Sequence, residues 1–132
     1  MNADQLSRLR FVVFLCEGLI ICGYGVLALI LGRPDPIWPW IPTVAGVGAS
    51  ALIYLSAVRS GKKVAGASFD ELFDVEWRRA LSLSYWVAIA LYPLFVLPLA
   101  MGLLSSVTAF AAMGTLSGGA PMLLFCLITL RS

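Results

Sequence analysis

The sequence contains no histidine, and only 12% of its 132 residues are charged. The first absence excludes an imidazole base, a His-ligated haem or zinc, and His-activated nucleophiles. The second stands beside a hydrophobic content of 61%. Soluble domains average roughly 45–50% apolar and about 25% charged residues, so a globular domain of this length has no interior large enough for these side chains. Cysteine is sparse as well. Cys16, Cys22 and Cys126 stand alone, with no C-x-x-C pair. Cys16 and Cys22 are too far apart along one helix to form a disulfide, so metal and thiol-redox chemistry have no basis. No P-loop or dinucleotide fingerprint occurs, and Gly118-Gly119 by itself is no phosphate motif. A net charge of +2 gives nucleic-acid binding no support.

What the sequence does have is long apolar runs. Residues 11–31 contain one charge, Glu17, and are long enough to cross a hydrocarbon core of roughly 30 Å. Residues 37–58 form a second run, entered through Pro39 and Pro42, which suit a first helical turn because proline lacks an N–H. Residues 80–101 and 106–130 complete the set. In lipid every backbone polar group must find its partner internally, so each run is expected to be a helix. The fold class expected is an all-α integral membrane protein, one domain over residues 1–132, with four spans. A signal-peptide reading of residues 1–31 fits worse, because the apolar region exceeds the usual 7–15 residues and no A-x-A cleavage pattern follows it.

The basic residues orient these spans. Arg8, Arg10, Arg59, Lys62, Lys63, Arg78, Arg79 and Arg131 fall on one side of a four-span layout, and Arg33 alone falls on the other. The positive-inside rule then places both termini and the 59–79 connection in the cytoplasm, in a bacterial inner membrane. Trp38 and Trp40 mark the outer interface and Trp77 the inner one. The outer hairpin from Gly32 to Pro42 holds four prolines and is expected to be stiff.

The inner connection begins with Ser60-Gly-Lys-Lys, which reads as a flexible basic loop. Ser68 and Glu71 match a capping box, which predicts a cytoplasmic amphipathic segment over 68–79. That segment either lies on the inner surface or runs directly into the third span. Its apolar positions, Phe69, Leu72, Phe73 and Trp77 among them, recur at helical spacing. Asp70, Glu71, Asp74 and Glu76 gather acid where anionic lipid favours base, so these four and Trp77 are candidate contacts for a basic partner.

Small residues predict helix packing. Gly18, Cys22 and Gly25 share a face of the first span, and Ala45, Gly46, Ala49 and Ser50 recur in the second. Such faces let backbones approach closely, within a four-helix bundle or toward another chain. Pro93 and Pro98 predict a kink or early end in the third span. Ser117, Gly118, Gly119 and Pro121 predict a break within the fourth, or a re-entrant or external segment over 105–119.

Glu17 is the only carboxylate within the spans, roughly 9 Å along the helix from Phe11. It must be protonated, solvated or hydrogen-bonded there. Hydroxyl groups expected at similar depth are those of Tyr54, Ser56, Ser82, Ser84, Tyr85 and Thr129, and their convergence on Glu17 would make a proton-binding polar site. The layout resembles that of the small multidrug transporters, short four-span proteins with a glutamate in the first span. The resemblance covers that layout and Glu17, while the long charged connection 59–79 departs from the short loops of that family. No catalytic constellation is present, so the expectation is a non-enzymatic membrane subunit without cofactor or metal. Its partners are the lipid bilayer and other membrane helices. A small proton-coupled transporter or channel is the alternative.

Overall fold

A computed structural model describes residues 1–131. Their regular structure is helical throughout: α1 (Ala3–Leu31), α2 (Ile41–Ser60), α3 (Lys62–Ser68), α4 (Glu71–Ala100) and α5 (Ser106–Thr129). Four of these, α1, α2, α4 and α5, are long and apolar enough to cross a membrane.

Local chemistry explains their ends. Asn2 caps α1 through a reciprocal box: its Oδ1 accepts from the Gln5 amide at 2.8 Å, and the Gln5 side chain accepts from the Asn2 amide at 3.0 Å. The helix stops at Gly32, whose φ of 64° suits a residue without Cβ. The amides of Gly32 and Arg33 close back onto the carbonyls of Leu29 and Ala28. Pro42 sits in the first turn of α2, whereas Pro39 lies in the turn before it. Ser105 caps α5, its Oγ accepting from the Thr108 amide at 3.1 Å.

Two local expectations change. Residues 62–68 form the short helix α3 rather than a loop. The cap of the following helix is Asp70, which accepts from the Phe73 amide at 3.0 Å, and not Ser68. Ser68 ends α3 and is buried, its Oγ 3.0 Å from that of Ser7. Of the two courses open to residues 68–79, the structure shows the second: from Glu71 onward they are the first turns of α4 and run directly into its apolar stretch.

Neither α4 nor α5 ends at its prolines or glycines. α4 passes Pro93 and Pro98 and continues to Ala100. α5 runs unbroken through Ser117, Gly118, Gly119 and Pro121, so this segment is neither broken nor re-entrant. In water, Gly-Gly and Pro favour helix ends because solvent satisfies the freed backbone groups. In an apolar setting no such partner exists, and the helical ladder is retained.

The principal contacts run in the order α2–α1–α5–α4, with α3 against α1 and α2. α1 and α4 also meet through side chains, as Phe14 against Trp77 shows, while α2 packs chiefly on α1 and α3. The close contact of α1 with α5 lies at the centre of α1. A Cβ added to Gly119 would lie 2.5 Å from Cys22 Sγ and 3.2 Å from the Gly18 carbonyl, and one added to Gly18 would meet Leu123 at 2.7 Å. One added to Gly25 would collide with Thr115 Oγ1. Gly18, Cys22 and Gly25 therefore seat α5, a packing use internal to the chain. Two apolar clusters flank this crossing. Ala80, Phe125 and Cys126 anchor one, joined by Phe11, Phe14, Phe73 and Trp77. Phe95, Ala109 and Ala112 anchor the other, near the opposite ends of α4 and α5. α2 stands at the edge, with Ala49 as its one buried residue. Lipid tails are as apolar as its side chains, so nothing in a bilayer drives it further inward.

Candidate functional site

Glu17 lies in the seam between α1 and α2, 5% exposed. A Cβ on Gly46 would come within 3.6 Å of its Oε1, so the carboxyl points at the small-residue face of α2. Ala49 is buried, and Ala45 and Gly46 are half-buried. No hydrogen bond to the Glu17 carboxyl occurs among the described residues.

The hydroxyl groups expected around Glu17 do not gather there. Tyr54 and Tyr85 are 69% and 63% exposed, turned away from the helices. Ser82 is exposed as well. Ser84 is buried but donates to the Leu81 carbonyl of its own helix at 2.8 Å. Ser56 lends its backbone carbonyl to the Ser60 hydroxyl at 2.7 Å. Thr129 donates to Glu76 Oε2 at 2.8 Å. The physical reason is geometric. α4, which carries three of these groups, is separated from the α1–α2 seam by α1 and α5, and Tyr54 sits on the far side of α2. Tyr24, seven residues beyond Glu17, instead shares its side of α1, is 5% exposed, and has a hydroxyl without a hydrogen-bond partner.

A second polar group is buried where α1, α3, α4 and α5 meet. Arg10 is 7% exposed. Its Nη1 donates to the Ser68 carbonyl at 2.7 Å, and its guanidinium lies 4.0 Å from the Phe73 ring centre and 5.0 Å from that of Phe69. The Phe125 ring is 5.8 Å away. Asp70 and Glu76 act on it through their field rather than by direct ion pairs. The aromatic wall continues: Phe14 packs on Trp77 at 5.3 Å and on Phe125 at 5.4 Å. In the sequence Arg10 serves only as one of eight basic topology markers. A finer signal is nevertheless present, since Leu6, Arg10, Val13 and Glu17 repeat at helical spacing and all four are buried.

The acidic ridge is divided by this same arrangement. Asp70 caps α4, and exposed Asp74 pairs with Arg78 at 2.9 Å. Glu71 is exposed. Glu76 and Trp77 do not belong to an outward surface: Glu76 is buried against Thr129, and Trp77 stacks within the aromatic wall. Their positions on α4 face α5, which a count of acidic residues does not reveal.

On α2, Ser50 is exposed rather than packed on α1. Thr43, Val47, Ser50 and Tyr54 follow one another at helical spacing, and all four are exposed. Among the described residues, the hydroxyls of Thr43, Ser50 and Tyr54 have no hydrogen-bond partner. No group of His, Cys, Asp or Glu side chains among them is arranged to hold a metal ion. No protein-family model, curated protein or solved structure matches the chain.

Proposed function

We propose that the protein is a small non-enzymatic subunit of the membrane, oriented with both termini in the cytoplasm of a bacterial cell, which scaffolds or regulates a membrane complex. The observation that carries this reading is the outer face of α2. Thr43, Ser50 and Tyr54 place three hydroxyls without partners along this edge helix. In lipid a hydroxyl gains by bonding across a helix interface, at about 0.6–2 kcal/mol each. A helix from another subunit satisfies all three, whereas acyl chains satisfy none.

Native mass spectrometry of the protein extracted from its own membrane tests this. The expected spectrum contains one defined assembly of fixed stoichiometry, which Ser50→Leu together with Thr43→Val shifts toward the free chain at least fivefold. A strictly monomeric chain would overturn the reading, and so would an assembly indifferent to both substitutions.

A second reading has its own support in Glu17, buried without a hydrogen bond and aimed at Gly46. A carboxyl in such a seam binds and releases a proton if the seam opens to water. In that case the protein is a small proton-coupled transporter or channel. Glu17→Gln keeps the shape and removes the titration. On this reading, proton-driven flux in proteoliposomes falls at least tenfold with Gln while thermal stability stays within a few degrees. Equal flux through both proteins rejects it.

A further inference from the structure

α4 and α5 are antiparallel neighbours, so the start of the apolar stretch in one lies beside the end of the stretch in the other. Arg79 directly precedes the run 80–101, and Arg131 directly follows the run 106–130. Both therefore stand toward the same end of the α4–α5 pair, with Arg79 nearer the apolar stretches, because Glu76 and Thr129 set the register. Between the two helices runs a groove of about 390 Å³, and both arginines line it. Its walls are otherwise largely aliphatic: Leu83 follows Arg79 toward the apolar stretch, Val75 lies one turn before it, and Leu124 and Leu127 line the α5 side. The Glu76 carboxylate, also in the wall, accepts from Thr129. Among the described residues neither Arg79 nor Arg131 is held in an ion pair, in contrast to Arg78, which is bound to Asp74.

We propose that this groove is a binding site for an anionic phospholipid, with the phosphate held by Arg79 and Arg131 and an acyl chain lying between α4 and α5. Charge complementarity and depth both favour this occupant. Guanidinium groups recognise phosphate oxygens through paired N–H donors. Basic pockets between membrane helices on the cytoplasmic side are suited to anionic headgroups, and that leaflet carries the anionic lipid. A zwitterionic lipid brings its own cation to the same two arginines and gains less. A water-soluble phosphate leaves the aliphatic walls uncovered. The site depends on the chain being embedded in a membrane, and it is independent of whether α2 meets another subunit.

The test is native mass spectrometry of the detergent-purified full chain with equimolar tetraoleoyl cardiolipin or dioleoyl phosphatidylcholine. Cardiolipin adducts are expected to exceed phosphatidylcholine adducts at least fivefold. Arg79→Gln with Arg131→Gln should reduce that ratio to below two, at unchanged helical circular dichroism. Arg79→Lys with Arg131→Lys should keep more than half of the preference, and Arg59→Gln, on α2, should leave it intact. The proposal is overturned by a wild-type ratio near one, or by a preference that survives the double Gln variant. It is equally overturned if the double Lys variant loses as much as the Gln variant, or if Arg59→Gln has the same effect.

Discussion

Arg10→Ala should lower the stability of the folded chain by about 2–4 kcal/mol, the largest expected effect of any single charged-residue change. Three losses add up at this position. The Ser68 carbonyl loses a charge-assisted donor at 2.7 Å, an interaction of about 1.5–3 kcal/mol. The rings of Phe69 and Phe73 lose a desolvated cation over their faces, at about 1–2 kcal/mol. The remaining hole lies where α1, α3, α4 and α5 meet, a place that cannot collapse without moving an entire helix. Against these stands the relief of unburying a charge, which explains why the net effect is smaller than their sum. Unfolding of the purified protein in mixed micelles, followed by helical circular dichroism, measures the effect. Arg8→Ala, at an exposed position two residues away and on the opposite side of α1, should change stability by less than about 0.5 kcal/mol. A double-mutant cycle of Arg10→Ala with Phe73→Ala should show a coupling of about 1 kcal/mol, as expected for residues in direct contact. Equal effects from Arg8→Ala and Arg10→Ala would mean that net charge, and not the aromatic cage, is what matters.

Gly119→Leu should prevent the α1–α5 crossing from forming. At this position even a methyl group meets Cys22 Sγ at 2.5 Å, the Cys22 amide at 3.1 Å and the Gly18 carbonyl at 3.2 Å. Two of these neighbours are backbone atoms and cannot rotate away, so the helices themselves must separate. Gly119→Ala should cost roughly 1–3 kcal/mol through overpacking, and the Leu variant should leave no cooperative unfolding transition. Gly118 and Gly114, on the same helix, have nothing within 4 Å of an added Cβ. Gly118→Ala and Gly114→Ala should therefore be neutral or stabilising by up to about 1 kcal/mol, the helix-propensity gain of Ala over Gly. The contrast between adjacent glycines, read from unfolding curves, separates close approach from flexibility as the reason for glycine here.

These two positions also show how far the sequence can be read. The four spans are legible because hydrophobic length is a property of the chain alone, and all four apolar runs correspond to long helices. Gly18, Cys22 and Gly25 are legible as a close-packing face, but not the helix they face, since small residues record a short distance and no partner identity. Gly119 belongs to the same contact, and yet beside Gly118 and Pro121 it reads as a break. The rule behind that reading comes from helices whose ends are solvated, and it fails where α1 covers the exposed backbone. Arg10 is hidden for a related reason. An arginine at the edge of a span serves the positive-inside rule whether it faces water or aromatic rings, and only the fold of residues 62–73 around it decides. Glu76 differs from Glu71 and Asp74 in the same way, because its burial depends on α5, remote in sequence. The Glu17 site is legible as a buried carboxyl. Its surroundings are not, because the sequence ranks hydroxyls only by depth along the membrane, and depth says nothing about which neighbouring helix stands between.

The central functional claim is that the outer face of α2 meets another protein, and site-specific photocrosslinking in the native membrane tests it most directly. A photoreactive phenylalanine analogue replacing Val47 lies between Thr43 and Ser50 on that face, 66% exposed. The same analogue replacing Ile89, 44% exposed on α4, serves as the reference. The account predicts one protein adduct of defined mass from position 47, removed by Ser50→Leu, and only lipid adducts from position 89. Lipid adducts alone from both positions would contradict it.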